Sequence, residues 1–201
     1  MKAPFLINPN MRLNTDTFVL AWQPVPDDIL TRESAMIPKT DKYVVRYSCL
    51  CFSTQTDRFF TIYYAQTLPF EQQRVQSWLR KSIKEAIIFR ANQVLPIELK
   101  NTEPHVGLYS KSVSVRKLRK AYGCCQYVTC HISFDPMLVL LPREFREEVI
   151  IHELCHILVH SHSKKFWTLL SEKLGRDSQL SKLSHDIFYS KYHAQLTWLM
   201  K

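Results

Sequence analysis

The strongest constraint on this chain is a pair of histidines near its C-terminal third. His152 and His156 are four residues apart, and Glu153 directly follows the first, which gives an H-E-x-x-H pattern. On a helix, residues i and i+4 share a face about one turn apart, so both imidazoles can reach one tetrahedral metal ion. Glu153 then stands beside the ion, where it can act as general base toward a metal-activated water. The pattern predicts a metal-dependent hydrolase.

A third ligand is needed, because catalytic zinc sites usually combine three protein ligands with a water. The nearby candidates are His160 and His162. In a straight helix, His160 would lie about 12 Å along the axis from His152, too far for a shared ion. The serines that flank His162 favour a helix break followed by a new helix. We therefore expect one Zn²⁺ per chain, held by His152, His156 and His162, with Glu172 on the next helix as the alternative third ligand.

The segment resembles the YgjP-like metallopeptidase family, whose signature reads H-E-L-x-H, five residues, then H-S-x-x-F-W. Residues 152–156 and 162–167 match it. The metzincin proteases share the histidine spacing but have a glycine where this chain has Val159. Upstream, residues 122–125, 132–135 and 137–142 follow the family's W-G-S-C segment, short strand and apolar run. The departures are Tyr122, Cys124, Asp135 and Ala121 in place of Trp, Ser, Asn and Arg. The resemblance spans about residues 70–171 and implies a zincin-like core that hydrolyses peptide bonds.

Three other functions are compatible with the pattern. Some YgjP-like proteins are credited with metal-dependent nucleoside triphosphate pyrophosphohydrolase activity, but this chain lacks a Gly-rich phosphate loop. SprT-like proteases, which cut DNA-attached proteins, share H-E-x-x-H, but here the gap before His162 is shorter and Ser163 replaces their glycine. The third alternative is an inactive nucleic-acid-binding protein that uses zinc structurally.

Composition limits the remaining choices. With 201 residues and 46% hydrophobic content, the chain can bury a full core. No apolar run approaches the roughly 18 residues of a membrane span, and the start is too short and interrupted for a signal peptide. We expect a cytoplasmic protein without membrane contact. Six cysteines are too few and too unevenly placed for a disulfide scaffold, so reduced thiols are expected.

A cysteine-rich cluster and a basic segment are two further candidate binding sites. Cys124, Cys125, Cys130 and His131 lack the paired spacing of a zinc site, and we interpret them as small residues of a strand and turn. The net charge of +9 favours acidic partners, and segment 111–120 carries Lys111, Arg116, Lys117, Arg119 and Lys120. This basic segment is compatible with nucleic acid, although most charge runs are solvated faces.

The predicted fold is α+β, with an N-terminal β-rich module at residues 1–66 and a zincin-like metallopeptidase domain at 67–201. Residues 1–40 predict loops with one strand at most, and 42–52 and 58–65 predict a hairpin. A core helix of about 25 residues opens at residues 67–70. The pattern of residues 105–118 predicts one or two strands. Residues 143–159 are predicted to form the helix that carries the H-E-x-x-H motif, and Gly175 is predicted to end a helix.

Two roles stay open from sequence alone. Residues 130–134 are either an edge strand that pairs with an extended substrate or an internal sheet strand. In the predicted C-terminal helix after Asp177, Tyr189 or Tyr192 could stabilise an oxyanion, whereas His185 and His193 are expected to be surface or packing residues.

Overall fold

A computed structural model describes residues 6–45, 48–119 and 121–177. The predicted α+β class is confirmed, with two sheets and four α-helices in these ranges. The chain divides into two compact units, Met1–Ala86 and Ile87–Lys201. The division into a module at 1–66 and a domain at 67–201 stays a prediction. Among the described residues, none of the helices combines the length and apolar character that a membrane crossing requires.

The first unit contains a five-stranded mixed sheet. Its strands are β1 (Leu13–Asn14), β2 (Val19–Val25), β3 (Lys42–Val45), β4 (Ser48–Thr56) and β5 (Phe59–Ala65), in the order β1-β2-β5-β4-β3. β2 and β5 run parallel, and the other neighbours are antiparallel. A hairpin ends at residues 59–65, but its first strand differs from the prediction: residues 42–52 are divided between β3 and β4, and β4 continues to Thr56. The turn between β4 and β5 contains Asp57 at φ 47°.

The expectation of at most one strand in residues 1–40 is wrong. This stretch contains β1, β2 and helix α1 (Asp27–Glu33). Its prolines, which favoured loops, lie at the ends of these elements: Pro26 is the N-cap of α1, and Pro24 lies near the end of β2. Leu30 of α1 packs with Phe52 and Ala65 in the core of this unit.

Helix α2 (Gln73–Val106) is longer than the predicted helix and begins later. Pro96 lies within the helix, and the buried Leu99 and Val106 continue the apolar stripe beyond it. The helix ends before Gly107, which has φ +71°. Because α2 extends to Val106, the predicted strand region at 105–118 is reduced to one strand, β6 (Ser112–Val115).

The second unit contains a three-stranded sheet and the metal-motif helix. β6, β7 (Gly123–Gln126) and β8 (His131–Phe134) are ordered β6-β8-β7, with β6 parallel and β7 antiparallel to β8. A buried 3₁₀ helix (Pro136–Leu140) leads to α3 (Arg143–Cys155). Helix α4 (Lys164–Leu174) ends at Gly175 in the left-handed conformation, as expected. The predicted C-terminal helix, with its tyrosines and histidines, lies outside the described residues.

Candidate metal centre

The last turn of α3 presents the first two histidines of the motif. Val149, Ile150 and Leu154 are buried, which fixes the rotation of the helix. His152 and His156 lie one turn apart at the rim of the buried face and are partly exposed. Glu153, the next residue after His152, is buried at 6% exposure. The helix thus places the imidazoles of His152 and His156 at the protein surface and buries the carboxylate of Glu153.

The third histidine reaches the same place because α3 ends earlier than the sequence indicated. The helix stops at Cys155, not at residue 159, and His156 is its C-cap. The chain then turns tightly, with the Val159 amide donating to the Cys155 carbonyl at 3.0 Å. Ser163 is the N-cap residue of α4, without a side-chain capping bond. His162 therefore stands just before a new helix that packs against α3.

The three imidazoles converge on one point through their Nε2 atoms. These atoms are 3.1 Å apart for His152 and His156, 3.2 Å for His156 and His162, and 2.9 Å for His152 and His162. Ligand atoms of a tetrahedral zinc ion with Zn–N bonds of 2.0–2.1 Å are about 3.3 Å apart. Among the described residues, this is the group of three that could hold a metal ion.

The tautomer of His156 also suits a metal ligand. Its Nδ1 lies 3.0 Å from the Val159 carbonyl, which can only accept a hydrogen bond. Nδ1 must therefore carry the proton in the neutral ring, and the lone pair is on Nε2, which faces the other two histidines. Burial lowers the pKa of His156, as does its proximity to His162 and His160, despite the hydrogen bond to Val159. The neutral ring, which metal binding requires, is thereby favoured.

Two aromatic residues of α4 pack against the imidazoles. The ring of Phe166, fully buried, lies 4.8, 4.4 and 4.9 Å from the centroids of His152, His156 and His162. Trp167 stacks on His162 and donates from its indole Nε1 to the His162 carbonyl at 3.0 Å. The F-W of the sequence signature therefore restricts the orientations of the three histidines.

Glu153 is held by strand β7. A methyl group on Gly123 would lie 2.6 Å from Cγ and 2.7 Å from Oε1 of Glu153, so only glycine leaves room for this carboxylate. Burial raises the pKa of Glu153 to about 8, while a hydrogen bond from the Cys125 backbone acts in the opposite direction. Nothing in the local sequence indicates this contact, because its only signal is the position of Gly123 in the segment that resembles the family's W-G-S-C.

The alternative metal ligands lie elsewhere. Glu172 is on α4 and pairs with Lys173 at 3.3 Å, with its side chain 67% exposed. The His160 ring stacks on Tyr127, with the centroids 3.7 Å apart. Tyr127 is a neighbour of the site that the sequence analysis did not single out. In the sequence, the only indication of Tyr127 is that an aromatic residue lies within the strand and turn predicted at the cysteine cluster.

The cysteine cluster does not form a metal site among the described residues. Cys124 and Cys125 are adjacent on β7, so their side chains point to opposite faces of the sheet. His131 is engaged by the hydroxyl groups of Ser112 and Ser114, at 2.7 and 2.9 Å.

The nomination of residues 130–134 as a substrate-binding edge strand is wrong. β8 lies between β6 and β7 and is paired on both sides, so the internal-strand interpretation holds. Within the described ranges, β7 has a strand neighbour on one side alone, and it contacts α3. The edge strand beside the metal-motif helix is therefore β7.

The basic segment 111–120 spans β6 and the loop after it. Lys111, Arg116, Lys117 and Arg119 are exposed, and Lys120 lies outside the described residues. The Nε of Arg116 donates to the Ser133 hydroxyl at 3.1 Å. Nucleic-acid binding by this segment stays a prediction.

An α+β unit that gathers three histidines and a buried glutamate on an H-E-x-x-H helix is typical of metallopeptidases. The family profile described as the YgjP-like metallopeptidase domain matches residues 50–181, and the chain belongs to this family. Among solved structures, the metallopeptidase zymogen of Pyrococcus abyssi abylysin is similar, with 21% identity and a TM-score of 0.41, over 50% of this chain and 96% of that one. A search of curated proteins gave no significant match.

Proposed function

We propose that this protein is a zinc-dependent metallopeptidase with a zincin-like core. His152, His156 and His162 would hold one Zn²⁺, and Glu153 would be the general base. The observation that carries this proposal is the convergence of three Nε2 atoms within 3.2 Å of one another, at the end of the helix that also buries Glu153. Three neutral imidazoles leave one position of a tetrahedral ion open, as catalytic zinc sites require.

Zinc supplies two things in such a site: it lowers the pKa of a bound water to about 7 and polarises the scissile carbonyl. Glu153 accepts the proton of the attacking water and can return it to the leaving amine. Burial of Glu153 favours the protonated acid at neutral pH. The histidines would hold a divalent cation beside this carboxylate, and that positive charge would favour its ionised form, which is the form that acts as a base.

The free edge of β7 is the element best placed to bind substrate. An extended peptide can add to an edge strand through main-chain hydrogen bonds, which select for an unfolded segment rather than for particular side chains. Because Gly123 and Cys125 of β7 contact Glu153, a peptide on this edge would pass close to the base. We therefore propose an extended peptide or an unfolded protein segment as substrate.

The first experiment measures metal content by mass spectrometry on protein purified without chelator. Wild type should contain about one zinc per chain. His162→Ala should lose it, whereas Glu172→Ala, which changes the alternative ligand, should keep it. A wild-type protein that neither contains zinc nor takes it up would overturn the proposal.

The second experiment uses a library of unstructured peptides. Zinc-loaded wild type should cleave members of the library, and Glu153→Gln should bind zinc normally but lose about 10²- to 10⁴-fold in kcat, the usual contribution of a general base. Equal cleavage by Glu153→Gln and wild type would exclude Glu153 as the base.

A further inference from the structure

A pair of stacked rings links the metal-binding loop to the strand beside Glu153. The rings of Tyr127 and His160 lie with centroids 3.7 Å apart and planes 17° apart. Tyr127 begins the turn after β7, and His160 lies in the loop between α3 and α4. Neither ring belongs to the group of converging histidines.

The loop that carries His162 makes a hydrogen bond to a side chain near each end. Near its start, Nδ1 of His156 donates to the Val159 carbonyl. At its end, the His162 carbonyl accepts from the Trp167 indole. Between them lies His160, an exposed residue whose ring stacks on that of Tyr127. Tyr127 is therefore placed to restrain the middle of the loop.

The turn that carries Tyr127 is itself fixed. The Cys130 amide donates to the Tyr127 carbonyl at 3.4 Å, and the Thr129 amide donates to the Gln126 carbonyl at 3.2 Å. Gln126 is paired with His131 across β7 and β8. Tyr127 thus extends from a hydrogen-bonded turn toward the middle of the loop, at His160.

We infer that Tyr127 is a positioning residue that holds the α3–α4 loop, and with it His162, in the geometry that binds metal. This inference rests on the proposed function. A loop that is free to leave this geometry must be reordered before His162 can bind, which reduces affinity and speeds metal release. The same stack joins the proposed substrate strand β7 to the metal loop.

The test is the rate of zinc release from the zinc-loaded full-length chain into an excess of chromogenic chelator. Tyr127→Ala and His160→Ala should each release zinc about two- to tenfold faster than wild type, the range that an aromatic stack provides. Tyr127→Phe and His160→Phe keep a stacked pair and should release zinc at the wild-type rate. Tyr109→Ala, which removes another exposed tyrosine of the same unit, is the matched control and should behave as wild type.

A double variant separates this role from a general effect on folding. If the rings act through each other, Tyr127→Ala combined with His160→Ala should release zinc no faster than the faster single variant. Without zinc, Tyr127→Ala should still unfold cooperatively, with a thermal midpoint no more than about 6 °C below that of wild type, the shift expected when a stack of about 0.5–1.5 kcal/mol is lost. Wild-type release rates in both alanine variants would overturn the inference while leaving the metallopeptidase proposal intact. Failure of wild type to bind zinc would overturn both.

Discussion

Gly123 shows how one residue without a side chain can determine the position of the proposed general base, Glu153. Its Cα faces the Glu153 carboxylate so closely that an added methyl group would overlap Cγ, Cδ and Oε1, at 2.6 to 2.8 Å. The overlap involves the middle of the Glu153 side chain, not only its end. The carboxylate would therefore have to move away from β7.

Gly123→Ala should reduce kcat by about 10²-fold or more, because general base catalysis of this size requires the carboxylate in hydrogen-bond reach of the attacking water. Zinc content should stay at the wild-type value, because the three atoms nearest to the added methyl group all belong to Glu153. The measurement is peptide cleavage together with metal analysis. In a Glu153→Gln background the same change should have little further effect, and a full additional loss there would contradict the assignment.

Glu103 is a buried carboxylate that stabilises the connection between α2 and β6. It accepts hydrogen bonds from the Ser110 amide and hydroxyl at 2.9 and 2.6 Å, and it pairs with Lys100. Burial raises the pKa of Glu103, but the Ser110 bonds and the Lys100 ammonium outweigh burial and lower it overall. The charged form is therefore the one that the folded state favours.

A lowered folded pKa means that the stabilisation by Glu103 is complete above its unfolded pKa of about 4.3 and is lost as the pH falls through the folded value. Glu103→Gln should lower the free energy of unfolding at neutral pH and flatten its decline below about pH 4.5. Denaturant titrations across this range test the prediction, with the exposed Glu71→Gln as control. Parallel pH curves for wild type and Glu103→Gln would refute it.

At the scale of elements, α3 is anchored to α2 by a buried ion pair. Arg146 is 1% exposed, and its Nε and Nη2 donate to the Glu98 carboxylate at 2.6 to 3.1 Å. Its Nη1 donates to the Leu141 carbonyl at 2.6 Å, just before α3 begins. This bidentate geometry is specific to arginine and fixes the metal helix along its axis.

Arg146→Ala should lower the free energy of unfolding by about 3–5 kcal/mol, because it leaves the carboxylate of Glu98 without its buried partner. Arg143→Ala, on the exposed face of the same helix, is the matched control and should change stability by less than about 0.5 kcal/mol. Chemical denaturation followed by circular dichroism provides both values. Similar losses in the two variants would show that the ion pair contributes little.

The elements that the sequence predicted well are those with a strong local pattern. The presence of a hairpin ending at 59–65, the start of α3 and the cap at Gly175 follow from alternation, helical spacing and glycine chemistry over a few residues. The end of α2 was misplaced because Pro96 and Pro104 are usual helix breakers, and here the buried Leu99 keeps the stripe in helical register. Sequence could not decide whether residues 130–134 are an edge strand or an internal strand, because the order of strands depends on contacts between distant segments.

At the scale of the whole molecule, some residues of the candidate site follow from local sequence patterns, whereas others depend on contacts between distant segments. His152, Glu153 and His156 are set by local spacing on one helix. The grouping of His162 with them follows from a helix break that serine residues signal. The contacts of Gly123 with Glu153 and of Tyr127 with His160 join segments about 30 residues apart, and nothing in the local sequence of either partner indicates them. The W-G-S-C segment of the family includes the glycine at position 123 without its physical reason, and the signature contains neither Tyr127 nor His160.

Because the chain divides into two compact units, we predict that zinc stabilises one unit more than the other. All three proposed ligands belong to the second unit, Ile87–Lys201. A ligand that binds only the folded form stabilises it by about 2.7 kcal/mol at 100 times its Kd, which slows amide exchange through unfolding about 100-fold. With zinc, amides of α3 and β8 should therefore exchange much more slowly, whereas those of β2 and β5 in the first unit should change little.

Hydrogen exchange with mass spectrometry measures both sets in one sample, and His156→Ala should abolish the zinc effect. Equal slowing in both units would show that they unfold as one cooperative structure, and zinc binding would then stabilise the whole chain.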